Sequence, residues 1–400
     1  MLIRSRVLVW LAYLSFVIFA VASSLLSVAW PSIRAGFGLP LDALGTLLLM
    51  GTMGSLVSSW LHGRVVAQFG LGTEMLTGWI LATTGLFGYA FAPSWGWLLA
   101  AALTMGLSFG LVGGSLNTYF ATRYGAQELN WLHASFGIGA TIGPLVMSGV
   151  LNADRSWQSG YLLVSVIFSL VTLMVAFSWR TWQAESAAIT VEQPQSQRQG
   201  NGRTLRLPLV WVGLWVFFLY VGTETTAGQW SYTLFTESRH VAETVASAWV
   251  SVFWGSLTAG RLLMGMVVSR LGNGRVMRFS LAGVLLATLL IWLPVQSVSF
   301  FGLALMGFAA APIFPLLTAD TPRRVGAAHA ANAVGFQIGA SSMGLAVQPG
   351  IAGWLADEMG LEVIGPYMVL MALAMWVSYE IMDKMPVQTL VNRQSEVVGD

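Results

Sequence analysis

The sequence predicts an all-α membrane protein: twelve transmembrane helices in two six-helix bundles that are parallel-related copies of each other. Three observations predict it. The chain is 56% hydrophobic and 9% charged, with a mean hydropathy of +0.71, so it has too few polar groups to cover a water-facing surface. Apolar runs of membrane-spanning length recur twelve times. The second half of the chain also repeats the first at a nearly constant offset.

The first run, 7–30, follows Arg4 and Arg6. Ala20-Val21-Ala22 within it resembles a signal-peptide cleavage site, but the apolar stretch continues to Trp30 and the repeat needs this helix. Runs at 43–62, 73–92, 96–121, 131–152 and 157–178 complete the first six. The stretch 183–206, QAESAAITVEQPQSQRQGNGRTLR, is the long polar segment of the chain. Its Gln, Ser, Gly and Arg content predicts a flexible cytoplasmic linker. It divides an N-terminal bundle, 1–182, from a C-terminal bundle, 207–400, that ends in a short cytoplasmic tail. The second bundle takes the runs 208–235, 243–266, 276–293, 297–318, 327–353 and 363–384. Gly and Pro inside several runs are tolerated in membrane helices.

The basic residues orient the chain. With a cytoplasmic N-terminus, inner segments hold Arg4, Arg6, Arg64, Arg123, Arg180, Arg198, Arg203, Arg206, Arg270, Arg275, Arg278, Arg323, Arg324, Lys384 and Arg393. Outer segments hold only Arg34, Arg155 and Arg239. The positive-inside rule then sets both termini in the cytoplasm, at a bacterial inner membrane, and the alternation requires an even number of helices.

Composition also excludes functions. A net charge of +2 gives no reason to expect nucleic acid as a partner. The chain has no cysteine, which removes thiol catalysis, zinc thiolate sites and disulfides. No phosphate-binding loop, metal cluster or nucleophile–His–acid arrangement occurs, so neither an enzyme, a cofactor nor a metal is expected.

The repeat is specific. At a shift of 202, GRVVAQFGLGTEM (63–75) falls on GMVVSRLGNGRVM (265–277), matching Gly63, Val65, Val66, Gly70, Gly72 and Met75. At 201, Met105-Gly106 meets Met306-Gly307, and Arg123-x-Gly125 meets Arg324-x-Gly326. At 200, SFGIGATIG (135–143) meets GFQIGASSM (335–343), and Trp30 meets Trp230.

These residues carry a resemblance to the major facilitator superfamily, whose parallel six-helix repeats surround an axis along the membrane normal. That family's signature after helix 2 and helix 8 is similar to G-x-x-x-D-R/K-x-G-R/K. Here Gly265-x-x-x-Ser269-Arg270-x-Gly272-x-Gly274-Arg275 is the second copy and Gly63-x-x-x-Ala67-Gln68-x-Gly70 the first. Both lack the aspartate, so the resemblance implies the fold and a gate around Gly63, Arg64, Gly70, Arg261, Gly265, Arg270, Gly272 and Arg275, without the usual aspartate latch. A tight glycine turn is the plainer reading of the same residues. Three further stretches, LNWLHASFGIGATIGP (129–144), YVGTETTAGQW (220–230) and GRLLMG (260–265), resemble the fucose-permease-like branch of sugar:proton symporters and its sodium–glucose relatives. Sugar permeases of that branch often carry acids on helices 1 and 4. Here helix 1 has Ser23 and Ser24, helix 4 has glycine at the matching site, and Asn117 keeps a polar position.

Coupling would therefore rest on Glu224. A charge near the centre of a membrane helix costs about 2.5–3.5 kcal/mol on insertion scales. Burial penalises the charged form of a carboxylate, so a carboxyl whose solvation alternates can take a proton on one side and lose it on the other. Threonines around it also offer oxygen donors for sodium. Gln229 and Trp230 follow on the same helix, with Trp230 about 120° around from Glu224. An amide and an aromatic face suit a sugar. Asn117, Asn332 and Gln337 are the other substrate candidates, each equally readable as a hydrogen bond between helices. His133 and His329 are expected at inner helix ends, capping or snorkelling, and Arg261 is expected to snorkel or to pair across the gate. Gly139-x-x-x-Gly143-Pro144 resembles part of a drug:proton antiporter signature, or simply a close helix contact.

The expected protein is a monomer in the lipid bilayer that carries a small polar solute, a sugar first among candidates, by alternating access coupled to protons through Glu224. Proton-coupled efflux of hydrophobic compounds, sodium-coupled sugar uptake, and a sensor without turnover are the rival readings.

Overall fold

The computed structural model describes residues 2–124, 126–191 and 201–386. The core of the expected linker, 192–200 with Arg198, and the tail from 387 with Arg393 lie outside the described residues, as do the side chains of Arg4 and Arg6. Among the described residues the regular elements are helices. The first six are α1 (Leu2–Phe37), α2 (Ala43–Phe69), α3 (Leu71–Ala90), α4 (Trp95–Arg123), α5 (Ala126–Asn152) and α6 (Trp157–Val191). One turn, Asn201–Thr204, precedes the second six. These are α7 (Pro208–Thr233), α8 (Glu243–Leu271), α9 (Asn273–Trp292), α10 (Gln296–Val325, broken at Ala311 and Pro312), α11 (Ala327–Met359) and α12 (Ile364–Lys384).

Most helices outrun the apolar stretches that predicted them, because a span of about 20 residues crosses the hydrocarbon core and the rest projects beyond it. Thus α2 continues past its predicted end to Phe69, so Gly63 and Arg64 are helical rather than part of a loop. Helix α6 likewise continues to Val191, into the segment expected as linker. Among the described residues, nine spans are long and apolar enough to cross a membrane. The other three helices are α3, α8 and α11. They bury Glu74, carry Arg261 and hold a run of small residues respectively, which lowers their mean hydropathy.

The turn between α2 and α3 is a single residue, Gly70, at φ 81°. Its repeat partner Gly272, between α8 and α9, has φ 78°. Positive φ at this depth suits only glycine among common residues. Each donates its N–H to the carbonyl four residues back, Val66 and Val268, at 2.9 Å. The second glycines, Gly72 and Gly274, already sit in the first turn of the following helix.

Packing repeats as well. α1 with α5, α2 with α4 and α3 with α6 are matched by α7 with α11, α8 with α10 and α9 with α12. Gly106 sits against the Gly51 carbonyl where α4 meets α2, and its partner Gly307 sits against the Phe253 carbonyl where α10 meets α8. A side chain at either position would strike backbone. Small residues let membrane helices approach this closely. Gly139 and Gly143 do the same between α5 and α1, against Val17 and Ser24, which makes that glycine pair a helix contact in this structure.

The halves meet along three seams, α5 with α8, α2 with α11, and α1 with α7. The face at which α1 begins and α12 ends is the inner face below. Tight contacts between halves gather toward the outer face. There Arg34 binds Glu237 at 2.6 Å, the Leu41 N–H donates to Asp357 at 3.0 Å, and Ser247 donates to Ser148 at 2.8 Å. Gly45 lies directly against Gly350. Farther in, Gly113 on α4 and Gly335 and Gly339 on α11 face open space.

Candidate functional site

The run Gly222–Phe235, the second half of α7 and the turn that follows it, is buried throughout. Glu224 lies within it, with 9% of its surface exposed. Tyr220, one turn earlier, donates its hydroxyl to Glu224 Oε2. Arg261 of α8 brings Nη2 to 4.0 Å from Glu224 Oε1, and interacts with the Tyr220 hydroxyl as well. Arg261 therefore pairs within its own half, with Glu224, rather than across the gate. Thr223 and Thr226 donate to the Leu219 and Gly222 carbonyls of their own helix.

The α5–α8 seam explains what stands opposite. Ser148 meets Ser247, Thr141 meets Gly255 and Gly137 meets Thr258 in one antiparallel register. The next turn brings His133 level with Arg261, and the two interact electrostatically. His133 Nε2 lies 3.1 Å from Asn117 Oδ1, and Asn117 Nδ2 donates to the Gly113 carbonyl at 2.8 Å. Helix α5 begins at Ala126, so His133 lies about two turns inside it rather than at its end, with its side chain exposed. Asn117 and His133 on one half and Arg261, Glu224 and Tyr220 on the other form a chain of neighbouring polar side chains, joined by bonds within each half and by electrostatics alone across the seam.

The other expected substrate residues lie apart from this chain. Gln229 is buried, and its Oε1 has no hydrogen-bond partner. Trp230 is fully enclosed; its indole donates to the Pro349 carbonyl at 2.9 Å and its ring packs at Gly353 of α11. Gln337 accepts from Thr321 at 3.0 Å within the C-terminal half. Asn332 donates to Thr204 at 3.4 Å near the inner end, beside His329, which contacts the same hydroxyl at 2.9 Å. Of the expected gate residues, Arg64 is exposed and stacks on Trp60, 4.7 Å from the ring centre, and Arg270 and Arg275 are exposed at the inner face. Gly265 belongs to α8, but its surroundings lie outside the described residues.

Sequence reasoning missed a second buried carboxylate. Glu74 of α3 is fully buried, 2.9 Å from His62 Nδ1 of α2, and accepts from Ser115 of α4 at 2.6 Å. It stands at the very start of an apolar run, 73–92, and its partners come from two other helices.

The model of the Major Facilitator Superfamily matches residues 12–349 and 214–389. The chain belongs to that superfamily. It is 22% identical to the bypass of stop codon protein 6 of Saccharomyces cerevisiae, over 87% of this chain and 77% of that protein. It is 25% identical to the glucose/mannose transporter GlcP of Bacillus subtilis, over 57% of this chain and 58% of GlcP. It is 23% identical to the sodium-dependent glucose transporter 1 of Danio rerio, over 67% of this chain and 51% of that protein. The solved structure of the nucleoside transporter NupG superposes with a TM-score of 0.73 at 15% identity, over 92% of this chain and 98% of NupG, which shows the shared fold. This superfamily member is an integral membrane protein and a secondary transporter of small solutes, not an enzyme.

Proposed function

We propose that this transporter carries a sugar-like solute together with a proton, its two halves rocking about the Glu224 cluster. The single observation that carries the reading is the contact of Glu224 with Tyr220 and Arg261, buried midway along α7. A charged Glu224 balances Arg261. A proton on Glu224 releases that guanidinium, and removing one partner of a buried ion pair changes its surroundings by several kcal/mol, about 3–5 in other proteins. Arg261 stands on the seam between the halves, so movement of α8 against α5 changes what faces its guanidinium from the N-terminal half, His133 first, and thereby the proton affinity of Glu224. Proton binding and rocking are then one linked equilibrium.

Asn117 at the open face and Gln229 with its unpartnered oxygen are assigned as the first partners for solute hydroxyls, with Trp230, Gln337 and Asn332 framing them. The printed names of the Bacillus subtilis and Danio rerio relatives, both glucose transporters, support a sugar. The arginine bias supports cytoplasmic termini in a bacterial inner membrane, with the chain acting as a monomer. Sodium is the second reading for the ion, favoured by the name of the Danio rerio relative alone.

The test is uptake of labelled hexoses and deoxyhexoses into proteoliposomes under an inward proton gradient, an inward sodium gradient, or neither. Proton-stimulated uptake of one sugar is expected. Glu224→Gln is expected to lose gradient-driven accumulation and keep sugar exchange; full accumulation by that variant overturns the assignment. Stimulation by sodium alone replaces the ion, and absence of uptake for every sugar rejects the solute.

A further inference from the structure

We propose that the groove between α9 and α12 binds an anionic phospholipid from the leaflet at the inner face. One acyl chain lies in the groove, and the phosphate is held at its basic inner end. The site depends neither on the solute proposed above nor on Glu224.

Helices α9 and α12 meet at both ends and part between them. At the outer end Gly365 lets α12 close on Trp292. At the inner end Arg278 donates to Glu380 and to Asp383, each at 2.9 Å. Between these contacts lies a groove of about 490 Å³, walled by Leu285 of α9 and by Leu373, Trp376, Val377 and Ile381 of α12. That volume is within the range of small-molecule sites, about 300–1,000 Å³. Both helices pack on their own half, and Leu373, Val377 and Ile381 are exposed. The groove therefore opens sideways to the bilayer and not into the cleft between the halves.

The repeat-related pair, α3 and α6, is closed where α9 and α12 part. Thr83 meets the Thr172 hydroxyl at 2.8 Å, Thr172 reaches the Trp79 carbonyl at 3.2 Å, and Tyr89 stacks on Tyr161. At a shift of 202, Thr83 falls on Leu285. One half thus bonds this pair of helices at mid-height, and the other lines the same place with hydrocarbon and leaves it open.

Length selects the occupant. From Leu373 to Lys384 the groove follows α12 for about 16 Å at 1.5 Å per residue. One leaflet's share of the hydrocarbon core is half of about 30 Å. The groove runs from the middle of the membrane to one surface, which is the reach of an acyl chain.

Charge selects the head group. Lys384 closes the inner end, exposed and in no ion pair among the described residues. Glu380, one turn earlier, is already taken by Arg278, and Asp383 is shared by Arg278 and Arg324. Arg275, one turn before Arg278, is exposed as well. The acids at this end are matched, and Lys384 and Arg275 remain as a positive surplus at the depth of a phosphate. Basic pockets between membrane helices hold anionic head groups in this way. At the same shift of 202, Lys384 falls on Trp182, which is fully buried, and Arg278 falls on Leu76, so the N-terminal half has no such end.

The test uses the full chain, purified in detergent and stripped of lipid. Phosphatidylglycerol, phosphatidylcholine with the same acyl chains, and glycerol phosphate without chains are added separately. Native mass spectrometry counts bound lipid. The melting temperature is followed in parallel, because a ligand that binds only the folded form raises it. Phosphatidylglycerol is expected to fill one saturable site and to raise the melting temperature more than the other two. Lys384→Gln is expected to weaken that binding about fivefold, the share of one basic residue near a membrane surface, and Lys384→Arg to keep it. Val377→Trp fills the groove and is expected to displace the lipid. Leu173→Trp, on the exposed face of α6, is expected to retain it. Phosphatidylcholine that binds as tightly, equal protection by glycerol phosphate, or equal lipid loss in Val377→Trp and Leu173→Trp each overturns the proposal. So does a Lys384→Gln variant that binds phosphatidylglycerol like the parent.

Discussion

The two long seams between the halves are related by the internal repeat, and they differ. Between α5 and α8 the contact is tight from Ser148 and Ser247 down to Gly137 and Thr258. Between α2 and α11 it is tight at Gly45 and Gly350, yet Gly339, about three turns along the same face of α11, has nothing against it. One seam is a continuous bearing and carries His133 and Arg261. The other is a hinge closed at its outer end and parted within. A repeat thus supplies two copies of a helix pair, and side chains decide which copy holds and which opens.

The largest effects break this contrast at its glycines. Leucine at Gly137 strikes Thr258, and overpacking a tight contact costs about 1–3 kcal/mol or more. Gly137→Leu is expected to lower the yield and melting temperature of purified protein. Gly339→Leu meets open space in this structure and is expected to leave both within the range of neutral surface changes, about 0.5 kcal/mol. Yet it obstructs the approach of α11 to α2, so solute exchange is expected to be lost while the fold is kept. Equal loss of folded protein in both variants erases the distinction between the seams.

Much of this was legible in the sequence, for physical reasons. Helices announce themselves by length and hydropathy, and the repeat by offset, so Gly70 and Gly272 were matched before their common backbone conformation was seen. Glu224 stood out because a carboxylate in an apolar run has no local excuse. Arg261 was left between two readings, because its partner sits on another helix and spacing along α8 carries no trace of it. Glu74, His62 and Ser115 come from three helices. His62 and Glu74 alone look like helix-end polar residues and Ser115 like one more small residue of a glycine-rich stretch, and only packing brings them together. Trp230 shows the reverse. It invited a ligand by type, and the fold encloses its ring and gives its indole a backbone carbonyl on α11.

A smaller effect sharpens the comparison at the outer end of the hinge. Arg34 and Glu237 are partly exposed, at 25% and 30%, and exposed pairs contribute about 0–1 kcal/mol. Arg34→Gln should therefore move the balance between inner-open and outer-open forms by up to about fivefold toward the outer-open form, with little change in melting temperature. Spin labels at the outer ends of α1 and α7 read the shift directly. No shift assigns the outer closure to the glycine contact instead.

The smallest effect belongs to the bearing. Ser247 donates to Ser148 across α5 and α8 at 2.8 Å, but it also reaches the Thr244 carbonyl at 3.0 Å, and Ser148 accepts from Asn152 at 3.3 Å. Ser247→Ala removes one hydroxyl from a group that keeps another partner, so the loss is at the low end of the usual 0.5–1.5 kcal/mol or so for a hydrogen bond. The repeat partners of these two serines are Gln348 and Gly45. Gln348 turns away to the Phe218 carbonyl, and Gly45 meets the Gly350 backbone. Gly45→Ala therefore wedges a methyl into backbone, whereas Ser247→Ala only deletes an oxygen. Transport rates of the two variants, measured side by side, are expected to fall far more for Gly45→Ala. A reversed order makes hydrogen bonding, rather than close backbone approach, the force that holds the halves together at the outer face.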